Sequence, residues 1–350
     1  MNTIRAKSKP FSIPYAEFYV TNVCNLSCQN CNRFNNYAFG GHFKWADHKD
    51  DYIAWSKKLA IGKICILGGE PLTNPDLLNW VNGAAELWPN AVIQITSNGA
   101  FNDKFFKLYD GLDESVQARF RYDVSAHSAE IRNNTLQDLQ EHFGTPVRYD
   151  SDNLWHTIFD YASKTELWDD VKDINTFKEL SFAEQNYIMA LLTKHSGKDA
   201  DEILASDSIS LTYENGFRAF VVSSLNFYDS ALELHDDTFH LRHDNDPDEM
   251  VRKCYSASSH HFLNGKLYKC PLVTALPEFM KQYNVQMSDA NKDLIDAYRP
   301  AEHSMSDTEL TEIIKSFVGR EAIPQCKFCA DNSSTTKINL ALGKPKVKRL

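Results

Sequence analysis

The sequence predicts an α/β protein with a parallel sheet at its centre and a smaller α+β module toward the C-terminus. Strand-like runs alternate with helical patterns between residues 12 and 228. Such alternation argues for parallel strands joined by right-handed crossovers. The eight cysteines fall into two groups, three near the N-terminus and four in the last hundred residues, with Cys65 alone between them. The second group lies beyond the alternating region and marks the smaller module.

Strands are expected at about 15–21, 62–67, 91–97, 118–125, 146–150 and 217–224. An amphipathic pattern over 45–60 predicts the first helix. Asn74 followed by Pro75 predicts the second, over 75–88, with Asn as N-cap and Pro in the first turn. Two more helices are expected over 101–112 and 128–143. The stretch 164–216 interrupts the rhythm and reads as an insertion before the sixth strand, with helices near 181–195 and 199–205. Residues 229–250, rich in Asp and His, read as a linker. Asn264-Gly265 between Phe262 and Leu267 is a hairpin signal. Residues 336–350 form a basic tail, read as a frayed end rather than a nucleic-acid arm.

Composition narrows the function. The chain has 350 residues, of which 43% are apolar, enough to bury a full core without disulfide staples. Its net charge is −10, from 37 basic and 47 acidic residues, which argues against a general nucleic-acid binder. No run of 18 apolar residues suggests a membrane span, and the first ten residues lack the apolar core of a secretory signal. A cytoplasmic protein is expected, and there cysteines point to metal or redox chemistry rather than disulfides.

Cys24, Cys28 and Cys31 form a CxxxCxxC loop. Three thiolates on a four-iron cluster leave one iron without a protein ligand, able to bind something else. Structural zinc is the competing reading, but it wants a fourth ligand, here His42 or a distant cysteine. Cys254, Cys270, Cys326 and Cys329 give four thiolates, enough to saturate a cluster or to hold one zinc ion. Cys65 reads as a buried apolar residue of the second strand.

These motifs resemble the radical S-adenosylmethionine (SAM) superfamily. The strand YAEFYVT (15–21) runs straight into NVCNLSC (22–28), as in that family. The segment KICILGGEP (63–71) carries Gly68, Gly69 and Glu70 where the family has its GGE motif, which holds the amino group of SAM. Its glycines are expected to allow close backbone approach to that ligand. The segment IQITSNG (93–99) resembles the third strand and brings Asn98 into the SAM site. Ser125 sits where relatives hold the ribose or carboxylate of SAM. One position departs: Asn30 replaces the usual aromatic before the third cysteine, so adenine packing is expected to fall to Phe34 or Tyr37.

The resemblance implies a partial (β/α)6 TIM-like barrel over 12–228 and a twitch/SPASM-like auxiliary-cluster module over 250–335. Ligand chemistry then belongs at the C-terminal strand ends. Side chains alternate along strands. Phe120, Tyr122 and Val124 therefore oppose Arg121, Asp123 and Ser125, a face that His127 continues, while Phe18 and Val20 oppose Glu17, Tyr19 and Thr21. Gln94, Thr96 and Asn98 oppose Ile93 and Ile95, and the fifth strand offers Arg148 and Asp150. With the polar faces inward the lumen is unusually polar, and Arg121 and Arg148 are expected to balance Glu17 and Asp123. Glu17, Tyr19, Arg121, Asp123, His127 and Arg148 are thus the substrate candidates. The competing reading is a salt-bridge network closing the barrel floor.

The implied activity is reductive cleavage of SAM at a 4Fe–4S cluster held by Cys24, Cys28 and Cys31. It gives a 5′-deoxyadenosyl radical that abstracts hydrogen from a substrate. A second 4Fe–4S cluster on the four C-terminal cysteines favours a net oxidation. An external electron donor such as flavodoxin or ferredoxin is implied. The polar lumen points to a polar small molecule (a sugar, aminocyclitol or nucleotide derivative). A peptide or protein maturase is the alternative. Such maturases usually carry an N-terminal peptide-binding domain, and only about ten residues precede the first strand here. A non-catalytic zinc protein is the rival from another class, and it leaves Gly68-Gly69-Glu70 at a strand end unexplained.

Overall fold

The strands expected in the first half of the chain all form, with shifted ends. The structure is a computed structural model that describes residues 11–37, 40–151, 208–224, 226–254, 256–330 and 335–337. The first stretch runs β1 (Phe11–Tyr19), α1 (Trp45–Lys58), β2 (Leu59–Leu67), α2 (Leu77–Leu87) and β3 (Val92–Ser97). It continues through α3 (Asn102–Asp110), α4 (Glu114–Gln117), β4 (Phe120–Ala126), α5 (Ala129–Phe143) and β5 (Arg148–Ser151). Next come β6 (Ser208–Thr212), β7 (Arg218–Ser223), β8 (Asn226–Tyr228), β9 (Leu232–His235), β10 (Thr238–Leu241) and α6 (Pro247–Lys253). The last elements are β11 (His260–Leu263), β12 (Lys266–Tyr268), α7 (Pro271–Met280), β13 (Val285–Gln286), α8 (Asp289–Asp296), α9 (Asp307–Val318) and β14 (Thr335–Lys337).

The chain divides into two units, Met1–Ile95 with Phe227–Leu350, and Thr96–Asn226. In the first, the sheet order is β12-β11-β1-β2-β3. β1 lies parallel to both β2 and β11, β2 is parallel to β3, and β12 closes an antiparallel hairpin on β11. The hairpin turn forms at Asn264 (φ 50°) and Gly265 (φ 72°), two left-handed residues as the sequence requires. Its strand β11 joins the main sheet beside β1. Phe18 on β1 packs against Tyr52, Trp88 and Phe262 at ring separations of 5.0, 5.6 and 5.2 Å. Trp55 reaches across to donate its indole N–H to the Gly265 carbonyl at 2.7 Å.

Trp45, at the start of α1, stacks on Tyr52 and meets Trp80 edge-on. It lies against Gly83 of α2, where an added Cβ would come within 2.2 Å of the indole ring. Gly83→Ala is therefore expected to destabilise by about 1–3 kcal/mol, despite the better helix propensity of Ala. Chemical unfolding at equal slope would measure it, and a stabilised variant would refute the close packing. Asn74 is not the cap of α2, as expected above. The helix begins at Leu77 behind Asp76, whose Oδ2 accepts the Trp45 backbone N–H at 2.6 Å. The Asn74 side chain instead donates to the Val20 and Phe43 carbonyls, at 2.8 and 3.0 Å.

In the second unit the order is β4-β7-β6-β5. Its β4 is parallel to β7, while β6 runs antiparallel to β7 and β5 antiparallel to β6. The sixth expected strand thus follows the fourth directly, and the fifth lies at the edge, a correction to a simple run of six parallel strands. The intervening β6 was hidden inside the expected insertion, although Ile209 and Leu211 are buried in the alternating pattern of a strand. The helices expected near 181–195 and 199–205, and the tail from 338 onward, lie outside the described residues.

Residues 229–250 are not a linker. β9 and β10 pair antiparallel around Asp236 and Asp237, both left-handed at φ 45° and 63°. Their apolar side chains, with Phe34, Tyr37, Leu276, Phe279 and Phe328, form a second core of the first unit. Among the described residues no helix is long and apolar enough to cross a membrane.

Candidate functional site

The cysteine loop hangs on the end of β2. The parallel pairing of β1 and β2 continues past both strands: Val20 N–H donates to Leu67 O, Gly69 N–H to Thr21 O and Glu70 N–H to Val23 O, each at 2.8 Å. This lays Thr21 to Cys24 flat on Gly68 to Glu70. A Cβ on Gly68 would stand 2.3 Å from the Thr21 carbonyl oxygen, and one on Gly69 would stand 2.4 Å from that of Val23 and 3.0 Å from Cys24 Cβ. The two glycines therefore admit the cysteine loop itself, where the sequence suggested that they admit a ligand.

Further polar groups brace the loop. Thr21 Oγ1 accepts the Val23 N–H and meets His42 Nδ1 at 2.8 Å, which ties His42 to this strand. Asn35 donates to Asn22 O at 2.8 Å and accepts from the Tyr19 hydroxyl at 3.2 Å. Glu70 is fully buried and caps its own turn, with Oε1 accepting the Leu72 N–H at 3.0 Å. Cys31 N–H turns back to Cys28 O at 3.3 Å. Between these cysteines Asn30 is left-handed, at φ 62°, a conformation that Asn tolerates better than an aromatic. Its amide donates to Asp229 at 3.1 Å. Phe34 and Tyr37, expected to replace it against adenine, are buried in the second core, on Phe279 and Phe239.

A buried ionic cluster lies beneath the loop. Glu17 accepts from Tyr15 at 3.0 Å and from Arg33 at 2.9 Å, and it contacts His261 Nε2. Burial alone would raise the Glu17 carboxyl; the neighbouring His261 and Arg33 reverse this and hold it at about 2. Burial also pushes His261 below its usual range, with Glu17 opposing that shift, and Arg33 is the permanent cation beside the carboxylate. For Glu17 the expected balance by Arg121 and Arg148 is thereby corrected, because Arg33 and His261 are its actual partners. Arg33 also feels the charge of Cys31, two positions before it, and Tyr19 faces both Cys24 and Cys31. Cys65 is fully buried and accepts from Gln94 at 3.6 Å, as a strand residue.

The C-terminal cysteines come together. Cys254, Cys270, Cys326 and Cys329 line one cavity of about 110 Å³, with Asn30 and Asn32 from either side of Cys31. All eight cysteines carry thiols rather than disulfides. Burial pushes these four thiols up, Cys270 to about 12, and neighbouring cysteines add to the rise at Cys254, Cys270 and Cys329. Cys270 is the N-cap of α7, and the Leu272 and Val273 amides oppose the rise there. Four soft donors that resist ionisation alone, around one cavity, fit a metal centre that would deprotonate them. Among the described residues no three His, Cys, Asp or Glu side chains close onto a single ion.

The remaining candidates lie in the second unit. Along β4, Phe120, Tyr122 and Val124 are buried, while Arg121, Asp123 and Ser125 are half-buried on the other face, as expected. Arg121 donates to Phe120 O at 2.7 Å and pairs across the ladder with Arg218. His127 Nδ1 meets Ser224 O at 2.9 Å, and burial lowers its pKa. Asn98 is buried and accepts the Ala100 N–H at 3.0 Å, shaping the turn after β3. Arg148 is exposed on β5. Sequence reasoning missed Arg33, His261, Asn35, Asn74 and Lys269; only Arg33, beside the CxxxCxxC motif, carried a local signal.

No family model matches the chain. It is 29% identical over 129 residues to the 7-carboxy-7-deazaguanine synthase of Thermoplasma acidophilum, covering 36% of this chain and 56% of the relative. It is 33% identical over 98 residues to a probable GTP 3′,8-cyclase of Methanococcus aeolicus, covering 27% of this chain and 33% of that one. The chain thus spans about half the length of the first curated relative and a third of the second. Among solved structures, Streptococcus suis SuiB bound to S-adenosylmethionine aligns over 38% of this chain and 26% of its own, at 18% identity and a TM-score of 0.25. SuiB bound to its precursor peptide SuiA aligns over 91% of this chain and 71% of its own, at 14% identity and a TM-score of 0.32. At these TM-scores the structural alignments add nothing to the fold described above.

Proposed function

We propose that this chain, a member of the radical SAM superfamily, cleaves SAM reductively and uses the resulting radical to abstract hydrogen from a polar small molecule. The observation that carries this reading is the docking of the Cys24–Cys28–Cys31 loop onto Gly68-Gly69-Glu70 at the end of β2. Those three cysteines would hold a 4Fe–4S cluster with one iron open to SAM. When bound, the cluster supplies the electron that splits SAM into methionine and a 5′-deoxyadenosyl radical.

The chain's own groups have distinct tasks in this reading. Gly68, Gly69 and Glu70 present backbone at the strand end for the amino group of SAM. Asn98 and Ser125 are its further contacts. Arg121 and Asp123 share one face of β4, His127 follows its end, and these three are the substrate candidates of that unit. Both curated relatives are named for chemistry on small polar molecules, a deazaguanine and GTP, which supports that substrate class over a peptide.

The partial barrel and the twitch-like module belong to the same proposal. Cys254, Cys270, Cys326 and Cys329 around one cavity support a second 4Fe–4S cluster. It would accept one electron from the substrate radical as a proton leaves, making the net change a two-electron oxidation. An external one-electron donor would prime the first cluster.

Anaerobic reconstitution tests both sites. About eight irons per chain, four per cluster, are expected, falling to about four in the Cys24/Cys28/Cys31→Ala variant. That variant is expected to form no 5′-deoxyadenosine. Stoichiometric zinc without iron, and no SAM cleavage by the wild type, would overturn the proposal.

A further inference from the structure

The cavity of the four C-terminal cysteines also holds a cation. Lys269 precedes Cys270 and lines the same cavity, only 3% exposed. Its backbone is fixed on both sides: its N–H donates to the Tyr298 hydroxyl at 2.9 Å, and its carbonyl meets His260 Nδ1 at 3.0 Å. Its ammonium donates to the Ser316 carbonyl at 3.3 Å and lies 5.5 Å from the Phe317 ring centre. Among the described residues no carboxylate forms an ion pair with it. Burial lowers its pKa, and the groups that oppose this are Cys270 and Cys326, then Glu321 and Cys254.

A lysine is almost never buried without an anion, because an isolated ammonium is costly to desolvate. Arg33, near the other cysteine group, shows the ordinary solution, since Glu17 neutralises it at 2.9 Å. Among the described residues Lys269 has no such carboxylate. Asp229, the carboxylate in the same lining, is paired with Arg242 at 2.8 Å, so the charge that matches Lys269 is that of the thiolates and whatever they bind.

We propose that Lys269 is the charge compensator of the C-terminal cysteine site, and that its ammonium raises the reduction potential of the cluster held there. The inference rests on the second-cluster reading above. One-electron reduction adds one negative charge within the cavity. A fixed cation beside the sulfurs stabilises the reduced form more than the oxidised one, and net charge is among the factors that set such potentials. A raised potential suits a site that takes an electron from a substrate radical. The electron comes from that radical, a proton leaves with it, and the external partner reoxidises the cluster.

The test is a redox titration of the reconstituted full chain, followed by electron paramagnetic resonance. The Cys24/Cys28/Cys31→Ala background isolates the second signal. Lys269→Gln is expected to lower the equilibrium constant for reduction about tenfold, 59 mV for a one-electron couple. Lys269→Met, which keeps an apolar stem over Phe317, is expected to do the same. Lys269→Arg, which cannot lose its charge, is expected to stay near wild type. Iron retained by Arg but lost in both neutral variants would equally support compensation. Unchanged potentials in the neutral variants, or an equal fall in all three, would overturn the role of the charge while leaving the cluster in place. Zinc in the wild-type site would overturn the second-cluster reading and this inference with it.

Discussion

Gly69→Ala is expected to empty the N-terminal cysteine site while sparing the C-terminal one. The new Cβ would stand 2.4 Å from Val23 O and 2.7 Å from Val23 C, and neither backbone atom can rotate aside. Either the end of β2 or the Val23–Cys24 segment must move, breaking the bonds to Thr21 O and Val23 O that hold the loop. Iron is expected to fall from about eight to about four per chain. SAM cleavage is expected to fall at least a hundredfold, about 2.7 kcal/mol in barrier terms. Gly40→Ala is the control, since its Cβ meets nothing within 4 Å, and it should keep both iron and activity. Full iron and normal turnover in Gly69→Ala would show that the loop is not seated on the strand end as described.

Arg33→Leu is expected to cost about 3–5 kcal/mol of stability. It leaves the Glu17 carboxylate, 7% exposed at its side chain, without its permanent cation and beside a His261 ring whose pKa burial lowers. The loss should show as a lower urea midpoint. Glu17→Gln in the same chain should recover most of it, because the uncompensated charge is then gone. A single variant within 1 kcal/mol of wild type would mark the pair as an ordinary exposed ion pair instead.

Much of the first unit was legible in the sequence because its signals are local. The apolar runs of β2 and β3, the CxxxCxxC spacing and the Gly-Gly-Glu strand end each occupy fewer than ten consecutive residues. What was not legible depends on partners far apart in the chain. Glu17 gave no sign that His261 would lie beside it, and Lys269 gave none that it would share a cavity with Cys326. Asn74 reads as a helix cap in any local scheme, yet its amide joins two backbone segments that only the fold brings near. The 229–250 hairpin was obscured by its charge: six aspartates and three histidines suggested solvent, while Leu232, Leu234, Phe239 and Leu241 carried the strand pattern. The role of Gly68 and Gly69 was half legible. Close approach was foreseen, but the approaching group is the chain's own backbone.

The position of β1 between β2 and β11 has a consequence for synthesis. Its one neighbour is made soon after it, and the other only when most of the chain has left the ribosome. Until β11 arrives, β1 offers a row of unpaired amides and carbonyls, the kind of open edge that recruits other chains. Glu17 meanwhile lacks His261, and the β9–β10 packing around Phe34 does not yet exist. High contact order of this kind slows folding and prolongs exposure. Metal delivered to the N-terminal thiols before β11 is made would meet a loop seated on β2 but open on its other side.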